Sequence, residues 1–204
     1  MSTIVPDEPE PVEPTGGAGV MPDDPPQEGM SQRPVADVPR ERVGILRALA
    51  RRFSSARGPT ARHVLAFAAS QIGTGERPAN VNRYTRWYYG DNTAAPWCWI
   101  FVCYCFDQCG ALSLVFGKHA YVPDFRKVFA AHGVFHRSRP KPGDLVAFDF
   151  NGSGSPEHLG FVERVISGST LQTIEGNSRD HVRRRRRSRS YVYGYATPRY
   201  ASRG

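Results

Sequence analysis

Hydrophobic residues follow a helical spacing in the first part of the chain and a strand-like pattern later. Apolar side chains at three- and four-residue steps predict a helix over residues 60–72, with Thr60 as its N-cap. Residues 97–109 are apolar on almost every face, which predicts a buried helix. Another helix is predicted over 123–131, and the polar, aromatic stretch 80–96 is predicted to be a long structured loop.

Beyond Pro142 and Gly143 the pattern changes to short apolar runs separated by glycine and serine. Helices followed by strands are typical of an α+β domain, here with N-terminal helices packed on a mostly antiparallel β-sheet. The connection 167–170 suits a hairpin with Gly168 and Ser169 as a two-residue turn. The predicted strands are 145–150, 159–166, 171–175 and 191–195.

The N-terminal part differs from the rest in composition. Residues 1–40 hold nine of the 17 prolines and eight acidic residues but no aromatic residue, so they cannot bury enough apolar area to offset the entropy of ordering. We predict a disordered tail over 1–40, a basic amphipathic helix within 41–58, and one folded domain over 59–204. The helix over 41–57 either packs on the domain as a linker, which we favour, or lies on a membrane surface.

Charge is distributed unevenly along the chain. The net charge is +8, and residues 1–40 hold eight acids and two arginines, so they contribute −6 and the remainder carries +14. Such a basic domain favours polyanionic partners, among them nucleic acid, anionic lipid and anionic polymers of a bacterial wall. No stretch approaches the roughly 20 apolar residues that cross a bilayer, and we expect no signal peptide.

The four cysteines lie between positions 98 and 109, unlike a disulfide framework, so reduced thiols are expected. Their spacing contains no C-x-x-C pair, which argues against structural zinc. Cys98 alone stands at the start of the predicted helix, where the macrodipole and free N–H groups stabilise a thiolate. Cys98 is therefore the candidate nucleophile, and Cys103, Cys105 and Cys109 are assigned to packing.

His158 is the candidate base among six histidines, because it follows a glycine- and serine-rich loop and opens an apolar strand. With the two-residue turn, residue 160 faces residue 177, so His158, Glu175 and Asn177 point to one side of the sheet. Along an unbulged strand Glu175 lies about 13 Å from His158, and Asn177 about half as far. This geometry favours Asn177 as the residue that orients the imidazole, unless a bulge at Gly160 or Gly176 brings Glu175 closer.

Several sequence blocks occur in a recognisable order between residues 60 and 200. They are Gln-Ile-Gly-x-x-Glu, Trp-Tyr-Tyr-Gly, Pro-Trp-Cys-x-x-Phe-Val-x-Tyr-Cys, Pro-Lys-Pro-Gly-Asp-Leu-Val-Ala-Phe-Asp, His-Leu-Gly-Phe-Val-Glu and Thr-Ile-Glu-Gly-Asn. In this order the blocks resemble the CHAP family, the cysteine- and histidine-dependent amidohydrolases/peptidases. A match of several blocks is much more specific than a match of any single one.

The resemblance implies a papain-like fold and hydrolysis of an amide bond in bacterial peptidoglycan, either the N-acetylmuramoyl-L-alanine amide or a peptide bond of the stem or cross-bridge. It places the nucleophile on Cys98, the base on His158, the acidic third member on Glu175 and a polar partner on Asn177. The calcium-binding loop of some members is not apparent before Cys98, so no metal or other cofactor is expected. The protein is expected to be a monomeric phage endolysin, which is present in the host cytoplasm before lysis and acts at the cell wall.

Aromatic side chains near Cys98 are candidates to line a groove for stem peptide or glycan. We select Trp97, Trp87, Tyr88 and Tyr89 for this role. The arginine run over 183–187 falls between predicted strands. It either docks on anionic wall polymers or forms a solvated edge or loop, where arginines block pairing with other sheets.

Two other functions are compatible with parts of the sequence. A basic nucleic-acid-binding protein would retain DNA with a steep salt dependence and would be indifferent to thiol alkylation. A virion-associated or structural protein could carry a CHAP-like domain for wall binding alone. The combination of Cys98, His158 and Glu175 argues against the virion-associated alternative. Sensitivity to iodoacetamide distinguishes an enzyme from a nucleic-acid-binding protein, and nucleic acid is not the expected partner.

Overall fold

The computed structural model describes residues 58–77 and 79–201. The tail predicted over 1–40 and the helix predicted over 41–57 lie outside the described residues. In the described part the helices are α1 Ala61–Ser70, α2 Arg83–Tyr89, α3 Cys98–Gln108 and α4 Phe125–Ala131. The strands are β1 Phe135–His136, β2 Leu145–Phe148, β3 His158–Val165, β4 Thr170–Ser178, β5 His181–Ser188 and β6 Val192–Ala196.

Helix α2 lies in the stretch that the sequence predicted to be a loop. The Asn82 side chain accepts hydrogen bonds from the backbone N–H groups of Tyr84 and Thr85, and the Thr85 side chain accepts one from the Asn82 N–H. This reciprocal capping box satisfies donors that a short helix otherwise leaves without partners. The loop prediction for 80–96 is therefore wrong, because a polar cap and aromatic residues were interpreted as irregular structure.

Helix α3 is the central helix of the domain, and eight of its eleven residues are buried. It packs against β3 and β4, and Gly176 of β4 faces Phe101 of the helix. A Cβ atom at Gly176 would lie 2.5 Å from the Cβ of Phe101, so only glycine lets the helix come this close. The predicted helix over 97–109 is confirmed, with Cys98 as its first residue.

The strands form a single sheet in the order β1-β6-β2-β3-β4-β5. All neighbouring strands are antiparallel, so the predicted α+β fold with helices packed on an antiparallel sheet is confirmed. The main core lies between the helices and one sheet face, and a smaller apolar cluster of Val146, Phe148, Val162, Leu171 and Tyr195 lies on the other. The sequence analysis did not predict β1. The arginine run, for which a solvated edge or loop was one of two interpretations, lies in the edge strand β5.

The hairpin between β3 and β4 differs from the two-residue turn that was predicted. The Thr170 carbonyl accepts hydrogen bonds from the N–H groups of both Ile166 and Ser167, and Val165 pairs with Leu171, which departs from the predicted register. A bulge lies between Val162 and Arg164. Because Phe161 pairs with Ile174, residue 160 comes opposite residue 175 and not opposite residue 177. The predicted register was wrong by two residues.

Two further features of the described residues bear on function. Cys98, Cys103, Cys105 and Cys109 are all free thiols. Within 58–77 and 79–201, no helix combines the length and the apolar character that a membrane crossing requires.

Candidate active site

The candidate nucleophile and base meet where a helix and a strand begin. Cys98 is the first residue of α3 and His158 is the first residue of β3. The two side chains share a hydrogen bond, and both residues are almost fully buried, at 1% and 2% exposed. A thiol at a helix N-terminus in contact with an imidazole is an arrangement that activates cysteine for nucleophilic attack.

Glu175 occupies the other side of the imidazole. The Nε2 atom of His158 lies 3.0 Å from Glu175 Oε2, and Glu175 is completely buried. The contact depends on Gly160, which stands opposite Glu175 on β3. A Cβ atom at Gly160 would lie 2.6 Å from Glu175 Cγ and 2.7 Å from the Ile174 carbonyl oxygen. The missing side chain leaves room for the carboxylate to reach His158.

Replacing Gly160 by alanine is expected to push the Glu175 carboxylate away from His158. The added methyl group meets a backbone oxygen and a buried side chain, so overpacking of this kind costs about 1–3 kcal/mol. Urea denaturation measures the loss of stability, and the imidazole resonances of His158 report the lost contact. Gly168→Ala is the matched control, because a Cβ atom there meets nothing within 4 Å. Equal stability of the two variants would contradict this role for Gly160.

Glu175 is held by two side chains that the sequence analysis did not single out. Arg187 donates from Nε to Oε1 at 3.0 Å and from Nη2 to Oε2 at 2.5 Å, and the Thr173 hydroxyl donates to Oε1 at 2.5 Å. Arg187 is only 1% exposed. Strand parity was the one available signal, because Leu171, Thr173 and Glu175 share a face with Arg187 once the register of β4 and β5 is known.

Aromatic rings shield this network from water. The Phe150 ring lies 6.1 Å from the His158 ring and 4.9 Å from the Arg187 guanidinium carbon. Phe148 lies parallel to Phe150 at 5.3 Å and contacts the same two side chains. The same pair of rings therefore fixes both the imidazole and the guanidinium.

The charges of the network follow from these contacts. Burial alone lowers the pKa of His158, but hydrogen bonds to Cys98 and Glu175 outweigh it and raise the pKa from 6.5 to about 10. Burial raises the pKa of Glu175, but Arg187 and His158 outweigh it and lower the pKa from 4.5 to about 2. At neutral pH His158 is therefore an imidazolium and Glu175 a carboxylate.

Asn177 lies close in sequence but takes no part in this chain of contacts. It is 3% exposed and adopts a left-handed backbone conformation with φ 57°. Its Nδ2 atom is buried and has no hydrogen-bond partner among the described residues. The register that favoured Asn177 does not occur, so Glu175 holds the place next to the imidazole.

The structure separates the four aromatic groove candidates. Trp97 is fully buried, with its ring 5.2 Å from Tyr84 and its indole N–H donating to Glu76 at 2.6 Å. Tyr88 is 6% exposed. These two side chains are buried, as Cys98 and His158 are, and their place in a groove stays a prediction. Trp87 and Tyr89 are half-buried and remain candidates for substrate contact.

Side chains that could act as metal ligands are dispersed over the described part of the chain. No group of three or more His, Cys, Asp or Glu side chains within 58–77 and 79–201 is placed to hold a metal ion. Near the candidate site, His158 and Glu175 contact Cys98, Arg187 and each other.

Comparisons with known proteins bear on this arrangement. Residues 88–177 match the family model of the CHAP domain, so the resemblance to the CHAP family is confirmed for the segment that contains Cys98, His158 and Glu175. All three residues of the chain of contacts therefore lie within the matched segment.

Solved structures are similar to this chain at a lower level. Two of them are described as "The crystal structure of Ly7917" and "The crystal structure of Ly7917 with the hydrolyzing product of MDP". Each is 20% identical in sequence, and the match covers 68% of this chain and 62% of that one, with TM-scores of 0.46 and 0.44. This chain therefore spans less than two thirds of the length of these structures. No curated protein sequence matches this chain.

Proposed function

We propose that this protein is a cysteine-dependent peptidoglycan hydrolase that cleaves an amide bond of the bacterial cell wall. The observation that carries the proposal is the chain of contacts from Cys98 through His158 to Glu175. The CHAP domain match over 88–177 supports the substrate class, since the family acts on amide bonds of peptidoglycan.

In the first half of the proposed reaction, the Cys98 sulfur attacks the carbonyl carbon of the scissile amide and forms a tetrahedral intermediate. The Cys98 backbone N–H, at the start of α3, stabilises the negative charge on the carbonyl oxygen. The His158 imidazolium gives its proton to the leaving nitrogen. The carbon–nitrogen bond then breaks, which leaves a thioester on Cys98 and releases the amine.

In the second half, the neutral His158 imidazole takes a proton from a water molecule, which attacks the thioester. The carbon–sulfur bond breaks, the acid is released, and the Cys98 thiolate and the His158 imidazolium are restored. Throughout, the Glu175 carboxylate fixes the ring orientation and stabilises the imidazolium through Nε2.

The biological setting we propose is lysis of a host cell by a phage endolysin. Support comes from the resemblance to a family that includes phage endolysins and bacterial wall hydrolases. The bond that is cleaved is either the muramoyl–L-alanine amide or a peptide bond in the stem or cross-bridge, and product analysis distinguishes them.

Digestion of purified peptidoglycan tests the proposal. We expect mass spectrometry of the soluble products to show one class of new ends. Free lactyl carboxylates indicate an amidase, and new amino termini within the peptides indicate an endopeptidase. New reducing sugar ends, or no soluble product from walls of several peptide compositions, would contradict the proposal.

A further inference from the structure

We propose that Arg187 is a positioning residue for catalysis, which holds the Glu175 carboxylate against His158. This inference rests on the proposed function, because the reaction it serves is the amide hydrolysis described above. Arg187 touches neither the thiol nor the scissile bond in that scheme. It acts through Glu175.

Two hydrogen bonds from Arg187 fix the position of the Glu175 carboxylate. Nε and Nη2 of Arg187 each donate to a different oxygen of Glu175, at 3.0 and 2.5 Å. A bidentate pair sets the plane of the carboxylate as well as its distance. Oε2, which accepts from Arg187, is also the atom that contacts His158 Nε2 at 3.0 Å. The position of the guanidinium therefore determines where the imidazole is held.

The Glu175 carboxylate and its charged partners are buried. Glu175, His158 and Arg187 are 0%, 2% and 1% exposed, so water does not compensate a lost contact. Without Arg187 the buried carboxylate would lose its bidentate counter-charge, which is costly in an apolar surrounding. Arg187 is thus what allows an ionised third member at this buried position.

Two other arginines of β5, Arg183 and Arg184, are engaged with different partners. Arg183 is directly opposite Glu175 in the register, but its Nε donates to the Ser178 carbonyl at 3.0 Å. Arg184 forms an equally close bidentate pair, at 2.6 and 2.7 Å, with Glu163 on the surface. One strand therefore presents two bidentate Arg–Glu pairs, one buried beside the site and one exposed away from it.

This duplication supplies a matched control for the experiment. Arg187→Lys keeps the charge and removes the bidentate geometry, and Arg184→Lys makes the same change in the exposed pair. The substrate is soluble peptide-bearing fragments of peptidoglycan, so that binding to the intact wall plays no part. We expect Arg187→Lys to lower kcat about tenfold or more with KM within about threefold, and Arg184→Lys to change both by less than about twofold.

A double-variant test separates positioning from a structural role. If Arg187 acts through Glu175, adding Arg187→Met to Glu175→Gln lowers kcat by less than about threefold further. If the two residues act independently, the losses multiply. Multiplied losses, or a wild-type kcat in Arg187→Lys, would overturn the proposal. Arg187→Lys carries the test if Arg187→Met fails to fold.

A measurement without substrate keeps this inference distinct from the proposed function. Carboxyl carbon NMR follows the titration of Glu175, with the resonance assigned by its loss in Glu175→Gln. Arg187→Met is expected to raise the pKa of Glu175, because the guanidinium stabilises the ionised form, and Arg184→Lys to leave it unchanged. An unchanged titration in Arg187→Met overturns the inference. If the wild-type protein cleaves no fragment, the proposed function fails while this titration still measures the hold of Arg187 on Glu175.

Discussion

Cys98→Ser is expected to reduce peptidoglycan cleavage by about 10³-fold or more while the fold stays intact. Serine has nearly the size of cysteine, so the packing at the start of α3 changes little. Its hydroxyl is far harder to ionise than a thiol, so the nucleophile forms much less readily. Release of soluble fragments measures the rate, and circular dichroism checks the fold.

Cys109→Ser is the matched control, since it makes the same change at the opposite end of the same helix. Cys109 is half-buried, and burial raises the pKa of its thiol to about 11, so this thiol is neutral at working pH. The variant should retain wild-type activity. Iodoacetamide should likewise abolish activity, as expected for an enzyme and not for a nucleic-acid-binding protein. Cleavage by Cys98→Ser near the wild-type rate would exclude the thiol mechanism.

The elements that carry Cys98 and His158 could be predicted from local sequence. An apolar run after Pro96 predicts a buried helix that begins at Cys98. The change from a glycine-rich loop to an apolar run predicts that His158 lies at the start of a strand. Both signals come from short stretches of chain whose periodicity reports burial directly. The structure brings these two residues into contact, as the order of the sequence blocks implied.

The residue that orients His158 could not be predicted from local sequence. It depends on the register of β3 and β4, which one extra turn residue and one bulge shift by two positions. No local pattern shows a bulge, and each one-residue slip moves a side chain to the other face of the sheet. The distance argument that favoured Asn177 failed for this reason, although the family resemblance had assigned the place to Glu175.

The burial of Arg187 could not be predicted from the sequence around it. Five consecutive arginines at positions 183–187 erase the alternation that identifies a half-buried strand, so the run was interpreted as a solvated edge or loop. In the structure Arg184 and Arg186 are exposed while Arg187 is buried. The pairing of β5 with β4 places Arg183 opposite Glu175, yet Arg187 is the residue whose guanidinium binds the carboxylate. Side-chain packing in the tertiary fold decides this, and no sequence pattern shows it.

Glu175→Gln is expected to lower kcat by about two to four orders of magnitude, because a neutral amide no longer stabilises the imidazolium and no longer fixes its tautomer. It also leaves the Arg187 charge buried without a counter-charge, at a cost of about 3–5 kcal/mol in stability. Glu175→Asp keeps the charge but draws the carboxylate back from His158, so an intermediate rate is expected. Steady-state kinetics and urea denaturation measure the two effects separately.

Asn177→Gly is the comparison that decides which residue orients His158. Glycine adopts the positive φ of this position without strain, so the variant removes the amide and little else. Because Glu175 and not Asn177 contacts the imidazole, we expect the rate to fall by less than about tenfold. A loss as large as that of Glu175→Gln would mean that Asn177 orients the ring during turnover. A small loss assigns that role to the Glu175 carboxylate, for which Gly160 leaves room and which Arg187 binds.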